Sequence, residues 1–199
     1  MSRSGVSAEQ IQAWAAQAVL GDEPACAALY QAFSPAVLHL ALGLLNNLAD
    51  AEEVTQDTFI YALRNLGRFD AHRSAFTTWL YTIALSRCRN KRRRKWLPLL
   101  PLEGAANEAA SERAVESALE RRGVHRQVWE ALQGLSPKLR EAVVLRYLGE
   151  LHYKEIGQAV GCNPKTAESR VRLGLEAMRS ALRQQAPDAE TVTAEWTLG

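Results

Sequence analysis

Apolar residues in this chain recur at intervals of three and four, and no stretch shows the strict apolar/polar alternation of a half-buried strand. A chain patterned in this way can bury its apolar surface only by packing helices, so the expected class is all-α. Residues 25–48 read as a helix, or a helix pair broken near Ser34-Pro35. Asp50 opens the next helix, with Glu53 three residues on as in a capping box, and Gly67 stops it after about Leu66. Residues 68–76 are polar and loop-like. Helical spacing resumes over 77–96, with Trp79, Leu80, Ile83 and Ala84 on one apolar stripe.

The periodicity lapses at residues 97–124, where Leu-Pro-Leu-Leu-Pro leads into small residues and glutamates. That composition reads as a flexible linker with one weak helix over 111–122. Two small helical domains, 1–96 and 125–183, are therefore expected on either side of it. The second has a helix over 125–133, a turn at Gly134-Leu135-Ser136, and a helix with Ser136 as cap and Pro137 in its first turn, ending near Gly149. A short helix over 153–160, the turn Gly161-Cys162-Asn163, and a long helix capped by Asn163 with Pro164 first complete a helix-turn-helix reaching about Arg183. The acidic tail 184–199 is expected to be disordered.

Charge location says more than the net +2. Over 87–95, seven of nine residues are basic (Arg87, Arg89, Lys91, Arg92, Arg93, Arg94, Lys95), and beyond Asn90 they point to all sides of a helix, so this end requires anions or water. Flanking aromatics Phe69, Phe76, Trp79, Tyr81 and Trp96 favour nucleic acid, where phosphates meet cations and unstacked bases meet rings. Trp79 itself falls on the stripe with Ile83 and reads as core. Cys26, Cys88 and Cys162 lie far apart, form no CxxC pair and leave an odd count, which argues against a disulfide framework or a zinc site. His39, His72, His125 and His152 share no nucleophile, metal or acid/base spacing, so neither enzyme chemistry nor a metal or cofactor is expected. Residues 1–20 lack the pattern of a secretory signal, and uninterrupted apolar runs are short, the best being 36–45 broken by His39. Cytoplasmic location without membrane insertion is the expectation.

On the helix opened by Asp50, Glu53 and Asp57 lie four apart on a face shared with Gln56 and Ile60, an arrangement that an outside cation would relieve. Acids at a helix N-terminus complement its dipole, which explains Glu52 and Glu53 well and Asp57 poorly; a protein-partner surface follows. On the last helix, Ala167, Val171, Gly174, Leu175, Met178 and Leu182 gather on one side. Lys165, Thr166, Ser169, Arg172 and Leu173 face the other, with Arg170 at the flank. That outer face is available to a major groove.

The segments Asp50-Ala-Glu-Glu-Val-Thr-Gln-Asp-Thr-Phe59, Phe69-Asp70 and Ser74-Ala-Phe-Thr-Thr-Trp-Leu-Tyr-Thr-Ile-Ala84, followed in order by the helix-turn-helix, resemble regions 2 and 4 of extracytoplasmic-function sigma factors. The resemblance covers most of the chain. It implies that Glu53, Gln56, Asp57 and Ile60 dock on the β′ clamp helices of RNA polymerase core. Phe69, Arg73, Phe76, Ser86, Arg87, Asn90, Lys91, Arg92, Arg93 and Arg94 would melt and hold the −10 promoter element. Lys165, Thr166, Ser169, Arg170, Arg172 and Leu173 would read the −35 element, while the second domain also binds the β flap and the linker lies in the RNA-exit path. Similar factors are commonly held by an anti-sigma protein. The chain departs from the family pattern at Ser86, where Asn is common, and at Leu173 and Leu175, where basic residues are usual. A ligand-sensing one-component regulator also joins a helical domain to a helix-turn-helix, but it leaves the basic run unexplained.

Overall fold

A computed structural model describes residues 6–96 and 126–185, and every regular element among them is helical. The linker 97–124 and all but the first two residues of the tail lie outside the described residues.

Helix α1 (Ala8–Val19) starts at Ser7, whose hydroxyl accepts the Gln10 amide, and buries Ile11, Ala15 and Ala18 at intervals of four and three. It is a helix beyond those expected from periodicity. Helix α2 (Glu23–Leu45) is capped by Asp22 and runs unbroken through Pro35, so of the two readings of this segment the single helix holds and the pair broken at Ser34-Pro35 does not. Proline there removes one backbone bond and costs about 3 kcal/mol. The helix continues because Leu29 and Phe33 before it and Val37, Leu40 and Leu44 after it are all buried in the same core. α2 is long and apolar enough by composition to cross a membrane, although His39 interrupts its apolar run. Its burial makes it the central helix of a bundle.

Helix α3 (Leu48–Arg64) begins two residues before the expected Asp50, because Asn47 accepts the Asp50 amide at 2.9 Å. Asn46 just before it adopts φ 52°, a left-handed C-cap that turns the chain between α2 and α3. A single 3-10 turn (Leu66–Arg68) and a loop lead to α4 (Phe76–Trp96). Helices α1 to α4 form the first bundle.

The second bundle comprises α5 (Arg126–Gln133), α6 (Pro137–Tyr147), α7 (Tyr153–Val160) and α8 (Pro164–Gln185). Ser136 sits at the N-cap of α6 but its side chain makes no capping bond; Arg140 instead reaches back to the carbonyls of Gln133 and Leu135. The α7–α8 turn follows expectation closely. Gly161 takes φ 77°, a conformation that side chains disfavour, and Asn163 accepts the Thr166 amide at 2.7 Å. α8 reaches Gln185, two residues into the expected tail. Gly174 lets α8 pass close to α6, since a Cβ there would lie 2.5 Å from Val143 Cγ2.

The bundles share one continuous apolar core. α7 packs on α4, and α6 packs on α2, where Gly43 faces Val144 and Leu148. This explains why α4 buries Thr78, Tyr81, Leu85 and Cys88 in addition to the expected Leu80, Ile83 and Ala84, and why its apolar surface is broader than one stripe.

Candidate promoter and polymerase interfaces

The face of α3 opposite the core carries Glu53, Gln56, Asp57 and Ile60, all exposed, with Tyr61 beside them. The inward positions Ala51, Val54, Thr55, Thr58, Phe59 and Ala62 fix this orientation. The two buried threonines bond the carbonyls of Ala51 and Val54 at 2.7 Å, so neither hydroxyl is stranded beneath the face. Glu53 is not waiting for an outside cation. Lys91 of α4 bonds it and lies 3.3 Å from Asp50. Burial opposes the charged Lys91 most strongly, yet the Glu53 bond and the Asp50 and Glu53 charges together raise its pKa. Asp57 makes no ion pair with a described residue and presents its carboxylate beside Ile60, which is 51% exposed.

The loop before α4 and the basic run at its end lie on this same bundle. Phe69 is half-buried, stacked edge-on against Phe76 and tilted against Trp79. Phe76, expected as a DNA contact, is buried at 5% exposure against Phe33, so it supports the loop from below instead of meeting a base. Trp79, expected as core, is only partly buried. Arg73 is exposed, and its carbonyl accepts Gln158 of α7 at 3.4 Å.

The basic run divides by partner. Arg87 lies over the Tyr61 ring at 4.9 Å. Arg89 and Arg92 converge on Glu141 of α6, which is 4% exposed: Arg89 forks onto both oxygens at 3.1 and 2.7 Å, and Arg92 Nη2 bonds Oε1 at 2.9 Å. The Glu141 bond raises the Arg89 pKa against the opposing effect of burial. Arg140 beside them is lowered by burial and by the Arg92 charge, and both Arg92 Nη1 and Arg140 Nε are buried without a hydrogen-bond acceptor. The expectation that the run needs outside anions is therefore corrected for Lys91, Arg89 and Arg92, whose acids come from this chain. Arg93 and Arg94 are exposed and pair with no described acid; Ser86 is exposed and Asn90 half-buried.

On α8, Ala167, Val171, Gly174 and Met178 are buried, with Leu175 and Leu182 half-buried. The opposite face is open at Lys165, Arg172 and Leu173 and half-open at Thr166, Ser169 and Arg170. Asn163, Pro164, Lys165, Thr166, Ser169 and Arg170 line an open hollow of about 700 Å³ at the start of the helix. Arg172 is held by Glu176 one turn on, at 2.8 Å. That acid, and Glu141, Glu155 and Asn46 at the seam between bundles, were not singled out from sequence. Glu141 did carry a signal, being an acid immediately before the apolar run Ala142-Val143-Val144-Leu145.

Two helical bundles, one with an acidic apolar-centred face and a basic helix end, the other a helix-turn-helix, are the architecture of a helical transcription factor. Residues 29–97 match the Sigma-70 region 2 family and residues 125–178 match Sigma-70, region 4. The ECF RNA polymerase sigma factor SigW of Bacillus subtilis is 30% identical over 172 residues, 82% of this chain and 91% of that protein. SigK of Mycobacterium ulcerans is 29% identical over 177 residues, 87% of this chain and 94% of that one. The solved structure of CnrH in complex with the cytosolic domain of CnrY is similar at TM-score 0.67 and 26% identity, covering 89% of this chain and 99% of CnrH. RpoE in complex with the anti-sigma factor NepR from Bartonella quintana shares the fold at TM-score 0.60, with 21% identity over 77% of this chain and 94% of RpoE. The chain belongs to the extracytoplasmic-function group of RNA polymerase sigma factors. Such factors are transcription initiation factors acting on RNA polymerase in the cytoplasm, and the ligand-sensing regulator is not favoured.

Proposed function

We propose that this sigma factor binds polymerase core through the exposed face of α3, holds the −10 element with the loop before α4 and the basic end of α4, and reads the −35 element with the outer face of α8. The observation that carries the first assignment is Asp57: a carboxylate with no described cation, beside exposed Ile60, on a helix whose opposite face is fully committed to the core. An apolar centre with such an acid suits a basic helical partner better than it suits water. In the −10 assignment Arg93, Arg94, Arg73 and Ser86 are the groups open to solvent, while Phe69 sits at the loop edge where a base could stack. Phe76 positions Phe69.

On this reading the domains span 1–96 and 125–183, the factor works in the cytoplasm without catalysing a reaction itself, and a protein of the anti-sigma kind covers it when it is idle. Support for such a partner comes from CnrH, solved with the cytosolic domain of CnrY, and from RpoE, solved with NepR. Run-off transcription with core polymerase on a randomised promoter library tests the whole assignment. The parent chain should select one −10/−35 pair, and Asp57→Lys should lose core binding while keeping its fold. Unchanged core affinity for Asp57→Lys would move the docking surface elsewhere.

A further inference from the structure

Helix α8 is fixed in rotation as well as in position. Ala167, Val171 and Met178 are buried, and Gly174 passes so close to α6 that an added Cβ would lie 2.5 Å from Val143 Cγ2. Turning α8 about its own axis would drive side chains into that contact, so the residues on its far side cannot rotate inward. Leu173 is one of them. At 44% exposure it is the one large hydrophobic side chain among the described residues of α8 that stands in solvent.

Its surface neighbours fall on two lines. Lys165, Ser169, Arg172 and Glu176 recur at intervals of four, three and four, and along this line Arg172 is tied to Glu176 at 2.8 Å. Thr166, Arg170, Leu173 and Ala177 form a parallel line with the same spacing. Every member of the first line hydrogen-bonds or carries charge. The second holds a single charge, Arg170, and otherwise offers a threonine methyl, the branched end of Leu173 and an alanine methyl. The bond to Glu176 keeps the Arg172 guanidinium on its own line and leaves Leu173 uncovered.

An exposed leucine is common on protein surfaces and by itself asks for no partner. The surroundings of this one do ask. Lys165, Arg170 and Arg172 outnumber Glu176 across the two lines, which suits the face to a groove walled by phosphates. Within such a groove a leucine can make neither a hydrogen bond nor an ion pair. The apolar group that a base pair displays on its major-groove edge is the C5-methyl of thymine, and apolar side chains are its complement.

We propose that Leu173 is a specificity-determining residue that reads a pyrimidine C5-methyl group, so that the −35 element of this factor contains a thymine selected for its methyl and not for its hydrogen-bonding edge. The inference rests on the assignment of α8 to the −35 element and names the feature of the base pair that this position selects. Arg172 and Arg170, on either side, supply the polar and phosphate contacts that a leucine cannot.

Base analogues test it with the full chain bound to core polymerase. Run-off selection from the randomised library first gives the −35 sequence. Each thymine of that element, on either strand, is then replaced in turn by uracil, which removes the methyl and leaves the pairing edge intact. Affinity is read by anisotropy on duplexes with an unchanged −10 element. At one thymine, uracil should weaken binding about fourfold, the worth of one methyl group taken out of water. With cytosine placed at that site, 5-methylcytosine should recover a similar factor, because Leu173 meets the methyl and not the exocyclic group. Both effects should vanish in Leu173→Ala and persist in Leu173→Met. A selected −35 element without thymine, a parent that tolerates uracil at every position, or the same uracil penalty in Leu173→Ala would each overturn the assignment. Loss of core affinity in Leu173→Ala with the penalty intact would overturn it too, and would make Leu173 a protein contact. Selection of no −35 element at all by the parent would instead overturn the proposed function, so the two failures are distinct.

Discussion

Replacing Gly174 by Ala is the sharpest probe of how the recognition helix is held. An added Cβ would sit 2.5 Å from Val143 Cγ2, well inside the carbon–carbon optimum of about 3.5–4.0 Å. Val143 cannot swing aside cheaply, since a β-branched side chain in a helix has essentially one rotamer, and it is itself 4% exposed. Overpacking of this kind costs about 1–3 kcal/mol, against which Ala recovers roughly 0.5–1 kcal/mol as the better helix former. The net expectation is a destabilisation of about 1 kcal/mol, read as a lower urea midpoint at unchanged slope. The second arm is Val143→Ala in the Gly174→Ala background. Removing the obstructing methyls should make the double change cost less than the sum of the singles, with a coupling of about 0.5–3 kcal/mol. Binding of a −35 duplex should fall and recover in parallel, because the same clash pushes α8 off α6. A Gly174→Ala chain more stable than the parent, with additive energies, would show that α8 and α6 are not in the close contact described.

Asn163→Ala removes the side chain that caps α8 at the Thr166 amide and should cost about 1 kcal/mol of stability, checked by thermal unfolding. Replacing Arg93 and Arg94 with Ala should lower the salt slope of promoter binding by about one unit for each phosphate that is no longer neutralised. Arg172→Ala should weaken the true −35 duplex by about 1–3 kcal/mol if the guanidinium leaves Glu176 to read a base, whereas Leu173→Arg should tighten matched and scrambled duplexes together, both checked by anisotropy titration. The Cys88 thiol, pushed up to about 12 chiefly by burial, should stay unlabelled by a thiol reagent at pH 8 while Cys26 and Cys162, both half-buried, react first.

Local chemistry was legible where a single residue decides the backbone. Gly161 with its positive φ, Asn163 as cap and Pro164 at the first helical position placed the helix-turn-helix correctly, because each acts through its own neighbours. Pro35 left one helix and a broken pair open for the same reason read in reverse. Its local cost is real, but the decision lay with Phe33, Val37 and Leu40, whose burial depends on α3 and α4. Helix α1 is signalled by Ser7 and by the Ile11, Ala15, Ala18 spacing, but the signal is faint because alanines bury little area each. What no helical wheel could supply was pairing between segments far apart in sequence. Lys91 finds Asp50 and Glu53 across 41 and 38 positions, and Arg89 finds Glu141 across 52; no period in the sequence encodes such separations.

These pairings change what the basic run means. Read in isolation, seven cations in nine residues present a uniform surface whose affinity for phosphate follows from their number. In the folded chain they separate by the work each must do before meeting DNA. Arg93 and Arg94 are free of described acids and can contact phosphate at once. Lys91 must leave Asp50 and Glu53, but both acids belong to the same bundle, so its release requires only a side-chain movement. Arg89 and Arg92 are held by an acid of the other bundle, so releasing them from Glu141 breaks a contact across the seam. If α4 meets promoter DNA as proposed, the barrier to engaging each cation rises along a gradient set by where its acid is anchored, and an encounter through Arg93 and Arg94 is chemically separable from engagement of Arg89 and Arg92. In the Arg89–Glu141–Arg92 cluster, charge neutralisation and contact between the bundles are the same interaction, so an anion that takes either guanidinium away from Glu141 also removes a bond that holds the bundles together.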